Sequence, residues 1–140
     1  MLISYGANVN EQTPDGQTVL CWSSKNNSID ITKLLISNGA NANIPTKKGQ
    51  TPLMFALHNK CLEIAELLLS SGADINAVQE NGYSALHLAV GVNDLDTIKF
   101  LVYHHANINL RDYDGLTAYF HACDLGYNDI KLFFEQNSAM

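Results

Sequence analysis

The stretch GQTPLMFALHNKCLEIAELLLSSGADIN, residues 49–76, reads as two short helices and a closing turn. Thr51 is an N-cap, because its hydroxyl can accept from an orphan N–H of the first turn. Pro52 suits the first helical position, where a missing N–H costs nothing. Leu53, Ala56 and Leu57 follow at i, i+3 and i+4, one apolar stripe. The first helix is predicted to end near Asn59–Lys60. A second is predicted over Leu62–Ser70. Leu62, Ala65 and Leu69 form one of its stripes and Ile64, Leu67 and Leu68 another, so it is buried on two sides. Gly72 supplies a left-handed C-terminal turn. A unit of this size cannot bury both helices alone, so it needs neighbours stacked on it.

The neighbours are in the sequence. YGANVN begins at Tyr5, NGANAN at Asn38, SGADIN at Ser71 and HHANIN at His104, a step of 33 residues each time. Gly16, Gly49, Gly82 and Gly115 keep the same step, as do Thr18, Thr51, Ser84 and Thr117. Leu20, Leu53, Leu86 and Tyr119 follow, then Ser23, Ala56, Ala89 and Ala122. Several registers agreeing on one period define a repeat array. Within it, His105 stands where Gly6, Gly39 and Gly72 stand, so it must take a positive φ at a cost of roughly 1 kcal/mol against glycine.

These units resemble the ankyrin repeat, with its 33-residue period and T-P-L-H-x-A signature. The signature stands here as TPLMFA (51–56), SALHLA (84–89), TAYFHA (117–122) and a degenerate TVLCWS (18–23). The resemblance implies an all-α fold, an ankyrin-repeat solenoid of stacked helix–turn–helix units joined by β-turn, hairpin-like loops. We expect one domain over 1–140, with repeats at about 11–43, 44–76, 77–109 and 110–140. Residues 2–10 read as the tail of a preceding repeat, because Leu2 and Ile3 lie two periods before Leu68 and Leu69, and the chain is expected to be part of a longer one or a monomer with a frayed start. The last repeat reads as a C-terminal cap. The stripe Ile29, Thr32, Ile36 recurs as Leu62, Ala65, Leu69 and as Leu95, Ile98, Val102, then turns polar as Asn128, Lys131, Glu135.

Composition narrows the partners. Net charge is −6 and Arg111 is the only arginine, which argues against nucleic acid. No apolar run approaches the ~18 residues of a membrane span, and the N-terminus has no basic segment leading a long apolar one, so neither membrane insertion nor a signal peptide is expected. Cys21, Cys61 and Cys123 are odd in number with no C-x-x-C pair, pointing to free thiols and a reducing, cytoplasmic setting. Residues 1–60 carry five basic and three acidic side chains, against three and eleven in 61–140.

No catalytic motif occurs and no nucleophile, base and stabiliser converge in the pattern, so no enzyme, cofactor or metal is expected. His58 and Cys61 are three apart but lack the further ligands of a zinc site. Asp112 and Asp114 read as ordinary loop acids. Trp22 shares its register with Phe55, Leu88 and His121 and reads as a packing residue. In the family, the histidine of the signature, here His87, bridges to neighbouring loop backbone. Asn10, Asn43, Asn76 and Asn109 would secure the turns, although some members are hydroxylated at this asparagine and Asn76 fits that sequence best.

The resemblance implies a non-catalytic scaffold that binds another protein through its loop tips and the concave face of its first helices. Carried over by register, the contact residues are Lys47, Lys48, Gln50 and His58, then Glu80, Asn81 and Tyr83, then Arg111, Tyr113, Asp114 and Leu116. Tyr and Arg are enriched at binding hot spots, which singles out Tyr83, Arg111 and Tyr113. The alternatives are a stoichiometric inhibitor of a target enzyme and a substrate-recruiting module of a larger one.

Overall fold

A computed structural model describes residues 8–137. Eight helices lie among them: α1 (Val19–Lys25), α2 (Ile29–Ser37), α3 (Pro52–His58), α4 (Leu62–Ser70), α5 (Ala85–Gly91), α6 (Leu95–Tyr103), α7 (Ala118–Leu125) and α8 (Asn128–Gln136). The described residues form no strand, only the isolated bridges Val78–Ser84 and Arg111–Thr117. The class is all-α, built of helix pairs at the predicted period.

Each first helix starts on the predicted hydroxyl. Thr18 accepts from Cys21 N–H (3.3 Å), Thr51 from Met54 (3.3 Å), Ser84 from His87 (3.4 Å) and Thr117 from Phe120 (3.2 Å). Each ends in a left-handed residue, at Asn27, Lys60, Asn93 and Gly126. The next N–H then returns to a carbonyl five residues back, as from Cys61 to Ala56 (2.8 Å), closing the helix end. The second helices close the same way, with Ala40 bonded to Leu35, Ala73 to Leu68 and Ala106 to Leu101, all at 3.0 Å. Gly39 and Gly72 provide the left-handed residue at φ 88° and 93°. His105 does so at 67°, as its register requires.

Two compact units divide between Asp74 and Ile75. In the first, α3 packs on α1 and α4, and α2 on α1 and α4. Leu20, Leu35, Leu53, Ile64 and Leu68 are buried there. In the second, α5 packs on α6 and α7, and α8 on α6 and α7. Leu86, Val90, Ile98, Leu101, Ile130 and Phe134 are buried. Each such side chain stabilises by about 1.5–3 kcal/mol relative to exposure. Asparagines tie successive turns inside each unit. Asn10 Oδ1 accepts from Asn41 N–H (2.7 Å), Asn43 Oδ1 from Asp74 (2.7 Å) and Asn76 Oδ1 from Asn107 (2.8 Å).

The stripe that turns polar in the last repeat has Asn128 exposed and Lys131 and Glu135 half-buried. Glu135 is held by Tyr119, whose hydroxyl donates to it at 2.6 Å from a register where the earlier repeats carry leucine. The carboxylate beside it drives the Tyr119 phenol far above its ordinary pKa. The expected packing role of Trp22 does not hold. Helix α1 buries Leu20, Cys21, Ser23 and Ser24, which turns Trp22 to the open side, 50% exposed. The tail expected at residues 2–10 falls largely on residues 1–7, outside the described residues.

Candidate functional site

Each first helix is led by a tight loop of constant design. Thr13 N–H donates to Gln17 O, Thr46 to Gln50, Gln79 to Tyr83 and Asp112 to Leu116, at 2.8, 2.8, 3.0 and 2.9 Å. Adjacent loops then touch through a backbone hydrogen bond. Lys47 N–H reaches Asp15 O (3.1 Å) in the first unit, and Tyr113 N–H reaches Asn81 O (3.4 Å) in the second. Both contacts depend on glycine. A Cβ on Gly16 would stand 2.8 Å from Lys47 N, and one on Gly82 would stand 2.6 Å from both the nitrogen and Cδ1 of Tyr113.

Of the contact residues expected from sequence, Lys47, Lys48 and His58 are exposed in the first unit and Gln50 is half-buried. In the second, Glu80, Asn81, Arg111, Tyr113 and Asp114 are exposed, and Tyr83 and Leu116 are half-buried. Tyr113 stands out at 72% exposed although its backbone is pinned. Arg111 Nη1 donates to Gly115 O (3.2 Å), closing its own loop. Tyr83 is engaged inside the unit. Its ring lies 5.5 Å from His87, nearly parallel, and 5.5 Å from His121, edge-on.

Below this loop sits a polar cluster that the sequence reading did not assemble. His87 bridges as expected: its Nε2 lies 3.0 Å from Leu116 O. Because a carbonyl only accepts, Nε2 carries the proton. Nδ1 in turn accepts from Ser84 N–H (3.3 Å) and faces Ser84 Oγ (2.9 Å), a reciprocal cap for α5. Asp112 is buried. Its Oδ1 accepts from the N–H groups of Asp114 (2.9 Å) and Leu116 (3.0 Å), and its Oδ2 pairs with His121 Nε2 at 2.7 Å. Burial pushes His87 below the ordinary imidazole value and keeps it neutral. Burial would raise the Asp112 carboxyl, but the bonds from His121, Leu116 and Asp114 outweigh it and hold the group below the usual carboxylate range.

One nitrogen or oxygen from each of His87, Asp112 and His121 falls within 4.8 Å of the others. The expectation of no metal considered His58 and Cys61, which begin no such group among the described residues. The signal was available by stacking. A residue of one repeat neighbours those about 33 positions on, which sets His87 against residues near 116–121.

The sequence model for ankyrin repeats (3 copies) matches residues 1–79 and 71–139. A search of curated proteins finds no match. The chain belongs to the ankyrin repeat family. Such repeats are generally protein–protein interaction modules and are typically non-catalytic.

Proposed function

We propose that this chain is a non-catalytic scaffold that binds another protein through its loop tips and first helices, with Tyr113 as the main anchor. The observation that carries this reading is the state of Tyr113. It presents an aromatic ring, 72% exposed, on a backbone already fixed against Asn81. A side chain so held loses little freedom on binding, and tyrosine gives large contact area at low entropic cost. Arg111 is exposed two residues away and Asp114 follows, so a partner would meet mixed charge around an aromatic centre. Lys47 and Lys48 on the corresponding loop of the first unit favour acidic groups in the partner there. Free thiols at Cys21, Cys61 and Cys123 support a reducing compartment such as the cytoplasm.

Affinity capture with the full chain, repeated with Tyr113→Ala, tests the reading. The captured protein should bind the variant more weakly by over ~1 kcal/mol, about fivefold, while helix content and melting temperature hold. Tyr83→Ala should weaken binding and stability together, because that ring also packs on His87 and His121. Equal affinity of the parent and Tyr113→Ala would overturn Tyr113 as anchor.

A further inference from the structure

We propose that His87, Asp112 and His121 form a binding site for a first-row divalent cation of the zinc class. The three side chains offer two imidazole nitrogens and one carboxylate oxygen within 4.8 Å of one another. Two imidazoles with one carboxylate suit Zn²⁺ and its neighbours and do not suit Mg²⁺ or Ca²⁺, which take oxygen ligands. All three belong to the second unit, on α5, α7 and the loop between Asn109 and Thr117, so closing on an ion needs only small movements inside one packed body.

The supporting contacts are already those of a ligand set. Asp112 is aimed by two backbone N–H groups on its other oxygen. Ser84 Oγ lies 2.9 Å from His87 Nδ1 and can accept the proton of that nitrogen once Nε2 turns to a metal. The exchange balances. His87 and His121 each move a ring proton from Nε2 to Nδ1, which frees both Nε2 lone pairs and gives up the bond from Ser84 N–H to His87 Nδ1. The cation replaces the N–H bonds to Leu116 O and Asp112 Oδ2. The fourth position falls to water or to the Leu116 carbonyl, which already sits 3.0 Å from Nε2. His121 has a side chain 20% exposed and provides the way in from solvent. In the first unit, the registers two periods earlier hold Cys21, Thr46 and Phe55, which make no such set, so the repeat design alone does not demand the cluster.

The test is a calorimetric titration of the metal-stripped full chain with ZnCl₂, with the melting temperature followed in parallel. The comparison variant combines Asp112→Thr and His121→Phe, the residues the same backbone carries at Thr46 and Phe55. A second variant, His104→Ala with His105→Gly, removes the paired histidines at the end of α6, one half-buried and one exposed. One equivalent of Zn²⁺ should bind, raise the melting temperature and shift the His87 and His121 ring ¹⁵N resonances. The first variant should bind at least about tenfold more weakly, and the second should bind as the parent does. If the first variant fails to fold, the ring resonances of the parent decide alone. Binding lost in the second variant and kept in the first, or parent rings unmoved by Zn²⁺, would overturn the site.

Discussion

Residues 66 apart in this chain do the same structural work with different chemistry. Cys21, Thr46 and Phe55 of the first unit occupy the registers of His87, Asp112 and His121 in the second. The surrounding backbone is alike: Thr46 Oγ1 accepts from Gln50 N–H (3.2 Å) where Asp112 Oδ1 accepts from Leu116 N–H (3.0 Å). Lys47 meets Asp15 as Tyr113 meets Asn81. The first unit closes this region with a hydroxyl and a half-buried Phe55, and the second with a buried carboxylate hydrogen-bonded to a half-buried histidine under a tyrosine. Loops, caps and buried leucines are therefore the fixed part of the design, and these registers are free to carry function.

If that division is right, the largest effects belong to the fixed part and are equal in both units. Leu53→Ala and Leu86→Ala should each cost 2–5 kcal/mol, roughly, in denaturant unfolding, since both leucines are at most 3% exposed. A loss in one and not the other breaks the equivalence. The next effect separates the units. Asp112→Ala removes a charged acceptor of three bonds and should cost about 1.5–3 kcal/mol, whereas Thr46→Ala should cost about 1 kcal/mol. The same contrast appears in acid. The folded pKa of Asp112 is depressed, so its stabilisation is present above the ordinary carboxylate value of about 4 and is lost as pH falls through the lower folded value. In metal-free buffer, parent and Asp112→Asn should converge in stability in strong acid and diverge near neutrality.

The smaller predictions concern backbone strain. Gly39 and Gly72 would place a Cβ in open space, so their register asks only for a positive φ. His105→Gly should stabilise by about 1 kcal/mol and raise the melting temperature by a few degrees. Lys60, at φ 59°, shares its register with Asn27, Asn93 and Gly126, and Lys60→Gly should stabilise by at most about 1 kcal/mol. A fall in melting temperature for either would show that the side chain contributes more than its backbone conformation costs.

The period, the N-cap hydroxyls, the Leu62–Ser70 helix and the left-handed turn at His105 were all legible in the sequence. Each follows from local rules applied at one register. The left-handed residue between helices was not, because Asn27, Lys60, Asn93 and Gly126 share a φ and not a residue type. Trp22 was misjudged for a related reason: apolar partners at its register do not say how far that face is covered. The His87–Asp112–His121 cluster was missed because its members sit at three registers of two successive repeats. Only packing brings them together. For the contact surface, register named the residues, but the pinned backbone and exposure of Tyr113 needed coordinates.

The most direct test exchanges the two loop tips at one position. Tyr113→Lys installs the residue that the first unit carries at Lys47, on the same backbone contact. Partner affinity and melting temperature should be measured side by side. The account predicts an unchanged fold with affinity reduced by about fivefold or more. Full affinity in the variant, or a collapse of its melting temperature, would contradict it.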